Sequence, residues 1–244
     1  MRIFDFVVSL TSIIILLPLF LFTAFLIILI SPGPVFYSQK RVGRYGRLFN
    51  LYKFRTMVVN ADQIGTSVTT GSDPRITKVG RYLRKTKIDE LPQLLNVLKG
   101  DMSFIGPRPD VPEIVNNYSS EMKRILEIKP GITSNASLHL RNEEDILSLA
   151  KEPNKAYEDI FVPAKIELAM EHVYRKSVLF DLGVLILTVW ILTGGRILHL
   201  PTKEHHIVKK IKDAIGRMNN ETGLNNANSW KEGRVGGWES GIKR

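Results

Sequence analysis

The sequence predicts a mostly helical α+β protein held at a membrane by its N-terminal segment. Three observations carry this. Phe6 to Ile30 is a 25-residue run without a single charge. Two strand-like runs, VFYSQ and LFNLYKF, flank a GRYGR turn. Further on, apolar residues recur at helical spacing, as Leu91, Leu94, Leu95 and Leu98 do.

Length and charge bound the rest. The chain has 244 residues, which suits one domain with an appendage. A hydrophobic content of 44% excludes a wholly disordered chain. The absence of Cys removes zinc ribbons, iron–sulfur clusters and thiol nucleophiles. Lys and Arg number 34 against 24 Asp and Glu, a net charge of +10, so the partner is anionic.

The uncharged run selects among anionic partners. As a helix it extends about 37 Å, beyond a hydrocarbon core of roughly 30 Å. It has no polar face, unlike a soluble core helix, and no small-x-small cleavage site follows it. It therefore reads as a permanent membrane segment. Pro18, near its middle, removes a backbone donor and leaves two topologies open. One is a kinked span, the plainer reading. The other is two arms of about 18 Å each that enter and leave on the same side. Arg2 before the segment and Lys40, Arg41, Arg44 and Arg47 after it favour placing both ends in the cytoplasm.

Ser31-Pro32-Gly33-Pro34 reads as a turn-rich exit. Val35 to Met57 follows as the β-hairpin, carrying Lys53 and Arg55 among its cations and no acidic residue. Lys40, Arg41, Arg44 and Arg47 read as a solvated face toward acidic headgroups. Asn60 to Asp73 reads as a loop, and Pro74 to Ile88 carries only basic charges. A helix begins near Asp89 and stops at Gly100. An amphipathic helix is expected over about Val111 to Ile128, then a turn at Pro130-Gly131, then a helix over roughly Pro163 to Lys176. Leu179 to Leu192 is too short to span and reads as a core or interfacial helix, with Trp190 suited to an interface. From Pro201 the tail is polar and is expected to be mobile. The domains are thus 1–34, the membrane segment; 35–200, the catalytic body; and 201–244, the tail.

The densest chemical signal is Asp89-Glu90, directly after a basic stretch. Thr86 and Asp89 match a capping box, and acids in a first turn complement the helix dipole. Pro92 weakens that reading, because a cap at Thr86 would place it beyond the first turn. The alternative is that the two carboxylates, pointing about 100° apart on a helix, serve different partners. Arg84 and Arg108 supply planar forks suited to phosphate. Arg108 is pinned between Pro107 and Pro109. The five His are scattered: His139 and His172 stand alone, and His199, His205 and His206 lie near or in the tail. HExxH, P-loop, GxSxG and GxGxxG patterns are absent. Aromatics interleave the basic hairpin, as nucleic-acid binding would want, but the membrane segment argues against that partner.

RIFDF, the proline-broken segment, QKRVGRYGRLFNLYKFRTM, DPRITKVGRYLRKTKIDELPQLLNVLKGDMSFIGPRP and KPGIT together resemble the bacterial sugar transferases, the monotopic phosphoglycosyl transferases, over roughly Arg2 to Leu200. The resemblance implies transfer of a sugar-1-phosphate from a nucleotide diphosphate sugar of the UDP class to a polyprenyl phosphate, undecaprenyl phosphate. It implies Mg²⁺, an aspartyl-phosphosugar intermediate, and a place at the first membrane step of polysaccharide or glycoconjugate assembly. By motif match, Asp89 takes the nucleophile's position and Glu90 its partner's, both also as ligands for Mg²⁺. Arg84, Arg108, Arg141 and Lys53 take phosphate- or substrate-binding positions. The resemblance also implies a re-entrant hairpin broken at Pro18, a body with interfacial amphipathic helices, and the cytoplasmic face of the bacterial inner membrane. Its partners would be the nucleotide sugar, the polyprenyl phosphate and the bilayer, with downstream glycosyltransferases and a second copy of the chain as further ones, and no nucleic acid. Two departures stand out. Leu17 replaces the Ser usual before Pro18, and Ser134-Asn135-Ala136-Ser137 replaces a Gly-Trp-Ala-Gln continuation. The competing function is a non-catalytic membrane-anchored protein whose basic face binds acidic lipid or another polyanion.

Overall fold

A computed structural model describes residues 2–64, 69, 73–174, 177–192 and 207–220. Its architecture is mostly helical, with two small two-stranded sheets. Helix α1, Arg2–Ile30, contains Pro18 and leaves most of its apolar side chains exposed. Among the described residues it alone is long and apolar enough to cross a membrane. Both ends of its apolar run rest on the same body. Near the start, the carboxylate of buried Asp5 accepts hydrogen bonds from Ser103 Oγ at 3.1 and 3.0 Å. Near the end, Ile27 packs with Phe54 and Leu83, and the Phe20 and Phe54 rings lie 5.3 Å apart.

The hairpin forms as its sequence predicts. Strands β1, Phe36–Val42, and β2, Leu48–Phe54, pair antiparallel, with Phe36 opposite Phe54 and Val42 opposite Leu48. Tyr45 and Gly46 make the reversal with positive φ, 58° and 76°. Just past β2, buried Arg55 donates to the carbonyls of Ser31 and Pro32 and so ties the exit of α1 to the hairpin.

Helix α2, Lys78–Thr86, starts at Thr77, whose hydroxyl accepts from the Gly80 amide at 2.9 Å. Thr86 caps nothing. Its hydroxyl donates to Tyr82 and Leu83 carbonyls, so the capping box expected at Thr86 does not form. Instead Lys87 turns the chain with φ of 60°, a 3₁₀ turn spans Ile88–Glu90, and α3 runs over Gln93–Lys99. Gly100, at φ 88°, ends it as expected.

Strand β3, Ser103–Ile105, pairs in parallel with β4, Gly131–Thr133. Gly106 and Gly131 allow this crossing. A Cβ on Gly131 would lie 2.1 Å from the Gly106 nitrogen. The expected turn at Pro130-Gly131 is thus the entry to a strand. The single helix expected over 111–128 is two pieces, α4, Pro112–Asn116, and a 3₁₀ turn, Met122–Glu127. Between them buried Tyr118 bonds to Asp110, a tertiary contact that outweighs the helical period.

Short helices α5, Asn135–His139, α6, Glu143–Leu147, and α7, Pro153–Ala156, lead through a π turn, Tyr157–Phe161, into α8, Val162–Tyr174. The expected end of that helix at Lys176 lies outside the described residues. Helix α9, Val178–Leu192, packs Val184 against Ile105 and Leu138. It exposes Leu182, Ile186, Val189 and Trp190, with Leu179 81% exposed, as an apolar stripe. Within the stretch read as a polar tail, residues 207–220 form helix α10. Its Ile211 and Ile215 are buried in the largest core, with Leu140, Leu147, Phe161 and Leu168. The other tail residues lie outside the described ones.

Because Ile215 is only 1% exposed, Ile215→Ala is expected to cost about 2–4 kcal/mol of unfolding free energy. Denaturant unfolding of the solubilised chain measures it.

Candidate active site

The 3₁₀ turn after Lys87 sends the two consecutive carboxylates in different directions. Glu90 meets two cations from distant segments. Its Oε1 accepts from Lys53 Nζ of β2 at 3.3 Å and from Arg108 Nη2 at 2.7 Å, and its Oε2 accepts from Arg108 Nη1 at 3.2 Å. Arg108 thus grips Glu90 with both arms of its fork. It stands on the Gly106–Pro109 loop after β3, which the β3–β4 pairing fixes: the Gly131 amide donates to the Pro107 carbonyl at 3.0 Å.

Asp89 differs sharply. It is 6% exposed, and its Oδ1 is buried with no hydrogen-bond partner among the described residues. Burial first, and the neighbouring Glu90 second, push its carboxyl above the usual carboxylate range. Burial would raise Glu90 as well, but Arg108 and Lys53 hold it well below that range. Burial lowers the Lys53 ammonium, against the pull of Glu90, whereas Glu90 raises the Arg108 guanidinium. Gln93, four residues beyond Asp89, is also buried, and its Nε2 likewise lacks a partner among the described residues.

The remaining expected cations divide. Arg84, on the last turn of α2, is paired with Glu144 of α6 and exerts an electrostatic pull on Asp89. Arg141 is exposed at the turn between α5 and α6, outside the Glu90 cluster. Of the basic face expected at Lys40, Arg41, Arg44 and Arg47, three members are exposed, but Arg41 turns inward. It donates to the Pro109 carbonyl at 3.1 Å and to Gln39 Oε1 at 2.6 Å. The strand alternation that puts Gln39 and Arg41 on one side, away from Lys40, was the available signal.

A second polar cluster beside Arg108 left no mark in the sequence. Asp110 accepts from Tyr118 Oη at 2.7 Å and Tyr157 Oη at 3.1 Å. Lys165 of α8 donates to Glu143 Oε1 at 2.8 Å and Tyr157 Oη at 3.0 Å. These residues come from the two flanks of α4, from α6, from the π turn and from α8, and only the fold brings them together. His139 bonds to Asn135 within α5, at 2.8 Å. The His172 side chain, His199, His205 and His206 lie outside the described residues. No group of three or more metal-ligating side chains occurs among the described residues.

Comparison with known proteins gives a consistent result. Residues 1–195 match the family model described as bacterial sugar transferase. The chain is 38% identical over 174 residues to the galactosyl transferase CpsE of Streptococcus agalactiae, covering 67% of this chain and 35% of the relative. It is 41% identical over 159 residues to the undecaprenyl-phosphate galactose phosphotransferase of Salmonella typhimurium, covering 59% of this chain and 33% of the relative. It is 34% identical over 190 residues to the UDP-glucose:undecaprenyl-phosphate glucose-1-phosphate transferase of Escherichia coli, covering 76% of this chain and 38% of the relative. The chain therefore spans about a third of the length of each of these relatives.

The opposite shifts of the two carboxyls predict opposite stability effects. At pH 7 the fold strains against ionised Asp89, so Asp89→Asn is expected to raise Tm. Glu90→Gln leaves Lys53 and Arg108 without their anion and is expected to cost about 3 kcal/mol. The Glu90 contribution is present above its ordinary pKa, about 4.3, and is lost as pH falls through its lower folded value. The Asp89 penalty is full above its raised folded pKa, shrinks as pH falls below that, and is gone only below its ordinary value. Thermal scans of both variants between pH 3 and 8 test this.

Proposed function

The chain belongs to the bacterial sugar transferase family, and we propose that it transfers a sugar-1-phosphate from a UDP-sugar to undecaprenyl phosphate through a covalent intermediate on Asp89. The observation that carries this is the bare Oδ1 of Asp89, buried beside a cluster of fixed cations. A carboxylate serving only as a cap or a salt-bridge partner is hydrogen-bonded at both oxygens where it is buried. This one is kept free, raised in energy and one turn from phosphate-binding groups, as a nucleophile must be.

The reaction is two displacements at one phosphorus. Asp89 Oδ1 attacks the sugar-bearing phosphorus and forms an aspartyl phosphosugar. The bond from that phosphorus to the bridging oxygen breaks, and UMP departs with the electron pair. An oxygen of undecaprenyl phosphate then attacks the same phosphorus, the bond to Asp89 breaks, and the carboxylate is restored. The acceptor needs no strong base, because a phosphate monoester has its second pKa near ~6. Glu90, held well below the usual range, is a poor base and serves to fix Arg108 and Lys53. Those two cations, with Arg84, offset the negative charge that gathers as an anion approaches a diphosphate.

Mg²⁺ belongs to this reading. The Asp89 carboxylate would suit a hard cation through the oxygen that does not attack, and Mg²⁺ sites commonly take one or two carboxylates plus substrate phosphates. Glu90 would contribute less, since Lys53 and Arg108 occupy both its oxygens. When bound, the ion supplies charge neutralisation on the diphosphate and the leaving phosphate. The relatives' names cite different sugars, galactose and glucose among them, so no sugar is assigned.

The reading places α1 in the bacterial inner membrane as a re-entrant helix, with the body on the cytoplasmic face. In support, Asp5 and Ile27, 22 residues apart, both touch that body. As a straight helix this interval would measure about 33 Å, a full hydrocarbon thickness, and one end would lie across the bilayer from the body. A bend at Pro18 lets both ends return to one side. The exposed apolar stripe of α9 would then rest on the same surface.

Two experiments test the proposal. Full-length protein with Mg²⁺, undecaprenyl phosphate and a panel of UDP-sugars is expected to release UMP from at least one donor. Asp89→Asn is expected to lower that release by about 10³-fold or more. Silence across the panel overturns the function, and full activity of the variant overturns the nucleophile. For topology, the chain has no Cys. Single cysteines at Arg2 and at Lys40 should react with an impermeant maleimide from the same side of sealed vesicles. Labelling from opposite sides overturns the re-entrant reading.

A further inference from the structure

Two consecutive acids, Glu143 and Glu144, stand at the start of α6 and are used in opposite ways. Glu143 is bonded to Lys165, itself tied to Tyr157, and that pair is largely buried. Glu144 reaches the other way and pairs with Arg84 of α2. Arg84 is five residues before Asp89 and is among the cations acting on it. A carboxylate therefore sits on one of the guanidinium groups that the proposed reaction assigns to phosphate. We propose that Glu144 is a donor-site competitor: it occupies Arg84 while the site is empty and must be displaced by the diphosphate of the incoming nucleotide sugar. This rests on the function proposed above and adds to it a residue that sets donor affinity.

The chemistry permits the exchange because an Arg fork donates to carboxylate and phosphate oxygens with the same planar geometry. At the same distance a doubly charged diphosphate attracts the guanidinium more strongly than a single carboxylate does. The packing permits it too. The Glu144 side chain is 40% exposed, so it can swing into water by side-chain rotation. Helix α6 need not move, since Glu143 stays on Lys165 and Ile146 and Leu147 stay in the core. That core includes Ile211 and Ile215 of α10, and Asn219 of the same helix donates to the Leu149 carbonyl at 2.8 Å. Helix α10 lies beyond residues 1–195, the stretch matched by the family model. The platform presenting Glu144 is thus braced by a part of the chain outside the matched region.

The test is equilibrium binding of UDP, and of inorganic pyrophosphate as a base-independent probe, to the full-length protein. Glu144→Gln is expected to bind both probes about two- to fivefold more tightly, the scale of a partly exposed ion pair. The KM for the donor should fall by the same factor with kcat unchanged. Glu144→Asp, which keeps the charge, should stay near wild type. In an Arg84→Gln background, Glu144→Gln should change nothing. A Glu144 that merely braces the fold predicts equal or weaker binding, and that result toward both probes overturns the proposal. The two readings fail separately. Tighter binding without UMP release from any UDP-sugar sinks the function and leaves the competitor. UMP release without tighter binding does the reverse.

Discussion

Glu90 is the hinge of this structure. Its carboxylate holds Lys53 of the hairpin and Arg108 of the loop after β3, two cations that would otherwise repel each other across a partly buried space. Ion pairs at this depth give little net stability, since desolvation of three charges offsets most of their attraction. What they give is position. With Glu90 satisfied by its neighbours, Asp89 is left next to a cluster that keeps one net positive charge, with an oxygen that no other described residue holds. Two chemically similar side chains, adjacent in sequence, are driven apart in acidity by their surroundings. That separation of roles is the usual mark of an acid pair at work.

The same body holds α1 at both ends. Arg55 grips the exit of α1, Phe54 packs on Ile27 and Phe20, and Ser103 bonds Asp5 at the other end. Ser103 opens β3, and Arg108 lies on the loop at its far end. The segment that presents the guanidinium to Glu90 is therefore also attached to α1. On the proposed function the acceptor is lipid-borne and stays in the headgroup plane, and short, rigid connections of this kind would hold the active site beside it. Asp110, Tyr118, Tyr157 and Arg41 extend the coupling by fixing the loop from behind.

The local elements were legible where short-range physics decides them. The hairpin was readable because alternating residues and a Gly-containing reversal act within a dozen positions. The stop at Gly100 was readable because a left-handed residue is needed there. Helix α10 was not. Its sequence looks polar, and Ile211 and Ile215 make an apolar face only in the presence of the core they enter. Nor was the break between Pro112–Asn116 and Met122–Glu127, where the bond from Tyr118 to Asp110 overrides the amphipathic period.

The sequence by itself determined that a long uncharged segment precedes a basic body, that Asp89 and Glu90 are adjacent carboxylates directly after a basic stretch, and that arginines surround them in the chain. These follow from residue type and spacing. The helix expected to begin near Asp89 starts instead at Gln93, after a separate 3₁₀ turn. Tertiary structure alone decided which acid is neutralised and which is left bare, that Arg41 faces inward, and that Glu144 covers Arg84. The reason is physical: a carboxylate's acidity and availability depend on the few ångströms around it, and those are filled by residues 37, 18 and 60 positions away, from Lys53 to Glu90, Glu90 to Arg108 and Arg84 to Glu144.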